Sequence, residues 1–130
     1  MNDLDSSGNA GNLIVRASDF LEISGGTRLL KNEDDGENFF VTSSLFASTN
    51  SDFSGNGGKI TIETPYLKLF NGGIITTSTN SSGKAGDIII RANTIEVKDA
   101  IETSFDSRSG ITSSVELEGT GDGGNIDIIV

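Results

Sequence analysis

GNGGKITIETPYLKLFNGGIITTSTNSS, residues 55–82, is a complete unit whose parts recur, interrupted, on either side of it. Its opening, Gly55-Asn56-Gly57-Gly58 followed by Lys59-Ile60-Thr61-Ile62, has three relatives. These are Gly8-Asn9-Ala10-Gly11 before Asn12-Leu13-Ile14-Val15, Gly83-Lys84-Ala85-Gly86 before Asp87-Ile88-Ile89-Ile90, and Gly121-Asp122-Gly123-Gly124 before Asn125-Ile126-Asp127-Ile128. The copies begin at positions 8, 55, 83 and 121, so successive spacings are 47, 28 and 38 residues. A repeat with a base period of 28 residues and two insertions accounts for all three spacings.

Within each copy the aliphatic residues fall two apart, which is the period of a strand with one buried face. Leu13 and Val15, Ile60 and Ile62, Ile88 and Ile90, and Ile126 and Ile128 mark a first strand. A second follows a short polar corner as Leu21-Glu22-Ile23, Leu67-Lys68-Leu69 and Ile95-Glu96-Val97, with Pro65 at one corner, where a missing backbone donor costs little. Gly25-Gly26 and Gly72-Gly73 then supply tight bends. A third strand is read from Val41-Thr42-Ser43-Ser44, Ile75-Thr76-Thr77-Ser78 and Ile111-Thr112-Ser113-Ser114. Three strands joined by corners and repeated at this period predict an all-β chain, the coil of a parallel β-helix or β-solenoid. About three and a half coils would be wound as a single segment over residues 1–130, with the aliphatics above, Val41, Val97, Ile126 and Ile128 among them, forming the core.

Charges at the outward positions bear on how the coils stack. Equivalent strands lying about 4.8 Å apart would place Arg16, Glu63 and Arg91 in one outward column and Glu22, Lys68 and Glu96 in another, with Lys59 beside Asp87. The sign alternates along both columns, which favours this stacking over a one-residue slip by a few tenths of a kcal/mol per pair.

The insertions, residues 27–40 and 99–110, both fall between the second and third strands and so leave one corner of the helix. The first reads as a small β-hairpin with Asp35-Gly36 at its tip. Phe39 and Phe40 in the first, with Ile101, Phe105 and Arg108 in the second, are candidate contact residues for a ligand or partner. The competing reading is that these apolar side chains only cover the flank of the helix.

The formal charge is −10, from nine basic and nineteen acidic residues spread along the chain, so neither nucleic acid nor an anionic membrane is an expected partner. No apolar run approaches the ~20 residues of a membrane helix. Cysteine and histidine are both absent, which removes disulfides, thiolate metal sites and the commonest general base together. Hydrophobic residues make up 34% of the chain, lean for a compact globule, but their alternation in register from copy to copy is not a property of disordered sequence. The first seven residues lack a basic region and an apolar stretch, so they are not read as a signal peptide but as the end of a preceding unit.

The glycine-rich openings quoted above, with the x-Ile-x-Ile strands and the Thr/Ser-rich third strands that follow, resemble the repeats of filamentous-haemagglutinin-like exoproteins exported by two-partner secretion, notably the cyanobacterial type. The resemblance covers nearly the whole chain apart from the insertions. It implies a right-handed parallel β-helix and a secreted or cell-surface location with an adhesive role. The Asn-Pro-Asn motif of that family's secretion domain is not in this sequence, which makes the expected parent a longer protein.

Other chemistry has weaker support. Glycosidic cleavage needs paired carboxylates at fixed separation, whereas Glu63, Asp87 and Glu96 read as members of charge ladders, so no enzymatic activity and no catalytic residue is expected. Asp34, Asp35 and Glu37 offer oxygen ligands to calcium but match neither the EF-hand loop nor the nonapeptide calcium repeat, leaving a solvated acidic turn as the simpler reading and no cofactor as the expectation. Thr42, Thr76 and Thr112, beside Ser44, Ser78 and Ser114, would form a stacked polar face. The expected function is structural: a rigid spacer that displays its corner loops and stacks end to end with copies of itself, or meets a surface glycan or protein. The alternative is a carbohydrate-binding or polysaccharide-degrading β-helix.

Overall fold

A computed structural model describes residues 8–29, 39–49, 55–98, 109–116 and 119–130, with the backbone alone for 26–29 and 39–42. All regular structure among them is β. Twelve strands follow in chain order: β1 (Leu13–Arg16), β2 (Leu21–Ser24), β3 (Gly26–Leu29), β4 (Phe39–Thr42), β5 (Ser44–Phe46), β6 (Ile60–Glu63), β7 (Tyr66–Phe70), β8 (Ile74–Thr79), β9 (Ile88–Arg91), β10 (Thr94–Lys98), β11 (Gly110–Val115) and β12 (Ile126–Ile129).

Three parallel sheets take one strand from each successive repeat. The first is β1-β6-β9-β12, the second β2-β7-β10 and the third β5-β8-β11. The chain visits them in the same order every time and advances one strand position per repeat, the arrangement of a β-solenoid. Register follows the sequence repeat: Ile60 pairs with Leu13 and Ile88, and Ile88 pairs with Ile126. The ladder runs on through the corners. Leu13 N–H donates to the Lys59 carbonyl at 2.8 Å, Ile60 to Asp87 at 2.9 Å and Ile88 to Asn125 at 2.8 Å. On the far side of the first strand, Ala17, Thr64 and Ala92 donate to Glu63, Arg91 and Ile129, each at 3.0 Å.

The glycine pairs explain how adjacent coils come this close. A Cβ added at Gly58 would meet the Gly11 carbonyl, one at Gly86 the Gly58 carbonyl and one at Gly124 the Gly86 carbonyl, all closer than the 3.0 Å that real Cβ atoms essentially never breach. Gly55, Gly83 and Gly121 form a second column of the same kind. The requirement here is absence of a side chain. Positive φ is needed elsewhere, at Gly25 (104°) and Gly72 (88°), where the second strand turns toward the third.

Stripping side chains from the corner leaves backbone carbonyls facing inward, and hydroxyls meet them. Thr77 and Ser113 donate to the Gly86 carbonyl at 2.6 and 2.7 Å, and Thr79 and Ser81 donate to that of Gly55 at 3.1 and 2.9 Å. Thr77, Thr79 and Ser81 are buried, and no buried side-chain polar atom among the described residues lacks a partner. Outside the corner, side-chain acceptors link the coils: Asn9 Oδ1 takes the Asn56 N–H at 2.9 Å, Asn56 Oδ1 that of Lys84 at 2.7 Å, Asn12 Oδ1 that of Lys59 at 3.0 Å and Asp87 Oδ1 that of Asn125 at 2.9 Å.

The core lies between the sheets. Ile60, Ile62, Leu67, Leu69, Ile75, Ile88 and Ile90 are fully buried, joined by Ile23, Ala47 and Ala92, with Leu13, Val15, Leu21, Leu45, Ile95 and Ile111 packed against them. Three of the expected core residues stay out: Val97, Ile126 and Ile128 are exposed because β10 and β12 are edge strands of their sheets.

The third strand of the first repeat differs from expectation. Ser44 pairs with Ile74, Leu45 with Ile75 and Phe46 with Thr76, so Leu45, not Val41, stands at the core position. Val41 and Thr42 are taken by β4, which pairs antiparallel with β3, Leu29 opposite Phe39 and Thr27 opposite Val41. The repeated four-residue string is a local coincidence. The alternation Leu45, Ala47, Thr49, matching Ile75, Thr77, Thr79 and Ile111, Ser113, Val115, is what the strands share. The expected hydroxyl columns change accordingly. Phe46, 66% exposed, stands where Thr42 was expected, beside Thr76 and Thr112, and Ser48 takes the place of Ser44 beside Ser78 and Ser114.

Candidate functional site

The first charge column is assembled by register. Arg16 pairs with Glu63 and Glu63 with Arg91, side chains on the outer face of the first sheet. Arg16 Nε donates to Glu63 Oε2 at 2.9 Å, and Arg91 Nη1 to Glu63 Oε1 at 3.3 Å, so both carboxylate oxygens are engaged by guanidinium groups. The column edges an open concavity of about 510 Å³ at the corner between the first and second strands, which Pro65, Asn93 and Ile129 also line. Its walls combine two exposed arginines with small and apolar residues, Ala17, Ala92 and the end of β12 at Ile129 among them.

The second column has the expected backbone register, Glu22 and Glu96 each opposite Lys68, but a different set of side-chain contacts. Glu96 accepts from Lys98 on its own strand and from the Tyr66 hydroxyl at 2.6 Å. Glu22 accepts from Ser24 at 2.9 Å. The Lys68 ammonium lies over two aromatic rings, 5.7 Å from the centroid of Phe20 and 5.0 Å from that of Tyr66. A lysine's long stem reaches sideways to a ring as readily as across a rung to a carboxylate, which is why strand register alone misjudges the pairing. Likewise the ion-pair partner of Asp87 is Lys84, three residues earlier and 4.0 Å away, and the same carboxylate accepts the Asn125 amide.

These contacts set the local electrostatics. The Lys98 ammonium, then the Tyr66 hydroxyl, hold the Glu96 carboxyl below its ordinary range, and the nearby Lys68 charge acts in the same sense. The Tyr66 hydroxyl moves the other way, pushed up chiefly because its proton is shared with Glu96.

The second sheet therefore presents, on the outer face where the sequence predicts only a charge column, an aromatic cluster: Phe20, Tyr66 and Phe70 with Lys68 and Lys98 over them. A signal for it exists in the sequence. Aromatic and charged residues alternate at the outward positions, Phe20-x-Glu22 and Tyr66-x-Lys68-x-Phe70. Of the loop residues expected to make contacts, Phe39 and Phe40 lie on β4, whose side chains fall outside the described residues. Ile101, Phe105 and Arg108 lie outside them altogether, as do the calcium candidates Asp34, Asp35 and Glu37. No group of three or more acidic side chains suited to a metal ion occurs among the described residues. No helix is long and apolar enough to cross a membrane among them either.

Comparison of the chain with protein-family models, with curated proteins and with solved structures finds no match.

Proposed function

We propose that this chain is a rigid segment of a right-handed β-helix, about three and a half coils long, belonging to a secreted or cell-surface exoprotein of the filamentous-haemagglutinin-like type. It spaces and displays the loops that leave its corners, and it extends axially by adding strand to strand. The reading of family and location rests on the glycine-rich repeats. Its mechanical part rests on one observation: β12 carries the same x-Ile-x-Ile alternation as the buried strands β6 and β9, yet Ile126 and Ile128 are 40% and 49% exposed. An edge strand with that alternation is a template for a further strand, supplied by another repeat or by a second copy of the chain.

No catalytic step is assigned. Glu63 has both oxygens on arginines and Glu96 is shared between a lysine and a tyrosine, so neither is placed as one of a pair of free carboxylates.

Electron microscopy over a concentration series tests the axial reading. Ordered end-to-end filaments are the expected result, and Ile128→Lys, which places a charge on the exposed edge, should abolish them. Monodisperse short particles at every concentration would contradict it.

A further inference from the structure

The outer face of the second sheet carries three aromatic rings that the core does not use. Phe20, Tyr66 and Phe70 stand opposite in phase to the buried Leu67 and Leu69 and so point away from the interior. Phe20 is 59% exposed, and it neighbours Tyr66 on the adjoining rung because Leu21 pairs with Leu67. Phe70 lies four residues further along the strand, roughly 13 Å from Tyr66 at the usual rise per residue. Lysines fix the rings in place: Lys68 lies over Phe20 and Tyr66, and the Lys98 ammonium is 5.8 Å from the Phe70 centroid.

The charges on this face cancel. Glu22 and Glu96 stand against Lys68 and Lys98, in a chain whose formal charge is −10. A polyanion meets no net attraction here and long-range repulsion from the rest of the molecule. A neutral, hydroxyl-rich ligand fits better. A pyranose ring offers an apolar C–H face to an aromatic ring and a rim of hydroxyls that can donate to carboxylates and accept from ammonium groups. The surface is one side of a sheet running along three rungs, away from the concavity beside Arg16 and Arg91, so the matching ligand is an extended chain rather than a small enclosed molecule. A second copy of this protein is a poorer occupant. Three partly covered rings amount to roughly a few hundred Å², short of the ~800 Å² per partner of a standard interface.

We infer that the outer face of the second sheet binds a neutral polysaccharide, with Phe20 and Tyr66 stacking under one sugar ring, Phe70 under another, and Glu22 and Lys68 hydrogen-bonding the hydroxyls between them. The site is separate from the strand edge at β12, so Ile128→Lys ends filament growth and leaves polysaccharide binding in place.

The test is affinity electrophoresis of the whole chain through gels containing, one at a time, hydroxyethylcellulose, mixed-linkage β-glucan, xylan, galactomannan, dextran or soluble starch, with alginate and heparin as polyanionic probes. At least one neutral polymer should retard the protein, with retardation preserved in about 0.5 M salt, where charge attraction is screened. Phe20→Ala should weaken that binding about tenfold, some 1.4 kcal/mol, and Phe20→Ala with Tyr66→Ala should remove it. Thermal midpoints establish that each variant folds, and the single change at exposed Phe20 carries the result if the double variant does not. Retardation by no neutral polymer, retardation by alginate or heparin alone, or unchanged binding in Phe20→Ala would overturn the proposal. So would a Phe20→Ala variant whose only defect is loss of self-association, which would make the face a contact between copies.

Discussion

β6 and β12 spell almost the same strand, Ile60-Thr61-Ile62 and Ile126-Asp127-Ile128, and occupy equivalent positions in one sheet, yet the first pair of isoleucines is fully buried and the second is 40% and 49% exposed. Their backbones and alternation agree. What differs is the number of neighbours. β6 lies between β1 and β9, whereas among the described residues β12 pairs with β9 alone. Alternation in the sequence decides which side of a strand faces the axis, and coils above and below decide whether that side leaves water. Stability in such an array is a sum over nearest neighbours, so the same residue is worth different amounts in different repeats.

The largest expected contrast follows directly. Ile62→Ala, in the middle of the array, should cost about 4 kcal/mol, as for other fully buried aliphatics cut back to alanine. Ile128→Ala should cost less than about 1.5 kcal/mol, because half of its side chain already meets solvent. Paired urea titrations check this, and equal costs would mean that β12 is covered in solution. The glycine columns give a contrast nearly as large. Gly86→Ala drives a methyl group into the Gly58 carbonyl and should destabilise by about 3 kcal/mol, as overpacking does. Gly11→Ala has nothing within 4 Å of the new atom and should stay within about 0.5 kcal/mol of the parent.

The hydroxyls come next. Thr77→Val removes one of the two hydroxyls that donate to the Gly86 carbonyl inside the corner, Ser113 keeping the other, and should cost about 1 kcal/mol, the net worth of a buried hydrogen bond. Thr112→Val loses only an exposed bond to Thr76, and thermal midpoints of the two variants should differ accordingly. The smallest effect is electrostatic and lies on the outer face. Glu96 titrates below its ordinary value when folded, so the unfolded chain takes up a proton first as pH falls. Its contribution is present above the ordinary carboxylate value and fades as pH drops through the lower, folded one. Carbon-detected NMR of Glu96 should show a midpoint below the normal range that returns toward it in Lys98→Met.

Much of this fold is legible in the sequence because the repeat constrains it. Gly58, Gly86 and Gly124 mark the coil-to-coil register by their spacing alone, and the isoleucine pairs that begin at Ile60 and Ile88 mark the inward face. The third strand of the first repeat is easily misread because Val41-Thr42-Ser43-Ser44 imitates the local string at Ile75, and short strings do not record that an antiparallel excursion, β3 with β4, consumes Val41 and Thr42 first. Exposure of Val97 and Ile128 depends on neighbours, which a single strand's alternation does not encode. The aromatic face is legible only in part, through the outward alternation Phe20-x-Glu22 and Tyr66-x-Lys68-x-Phe70. Phe20 and Phe70 sit at positions that read as ordinary surface, and their grouping with Lys68 and Lys98 comes from side-chain reach across rungs.

The stacking itself can be tested by a single cross-link, since the chain has no cysteine of its own. Thr61 and Ile89 point outward and pair across adjacent coils, so their Cα atoms lie at about the strand spacing of 4.8 Å, within the span of a disulfide. Thr61→Cys with Ile89→Cys, oxidised and analysed by mass spectrometry of the monomer, should close one intramolecular disulfide in high yield. Closure with Asp87→Cys in place of Ile89→Cys, or no closure within the monomer, would contradict the stacked register from which the rest of the account is built.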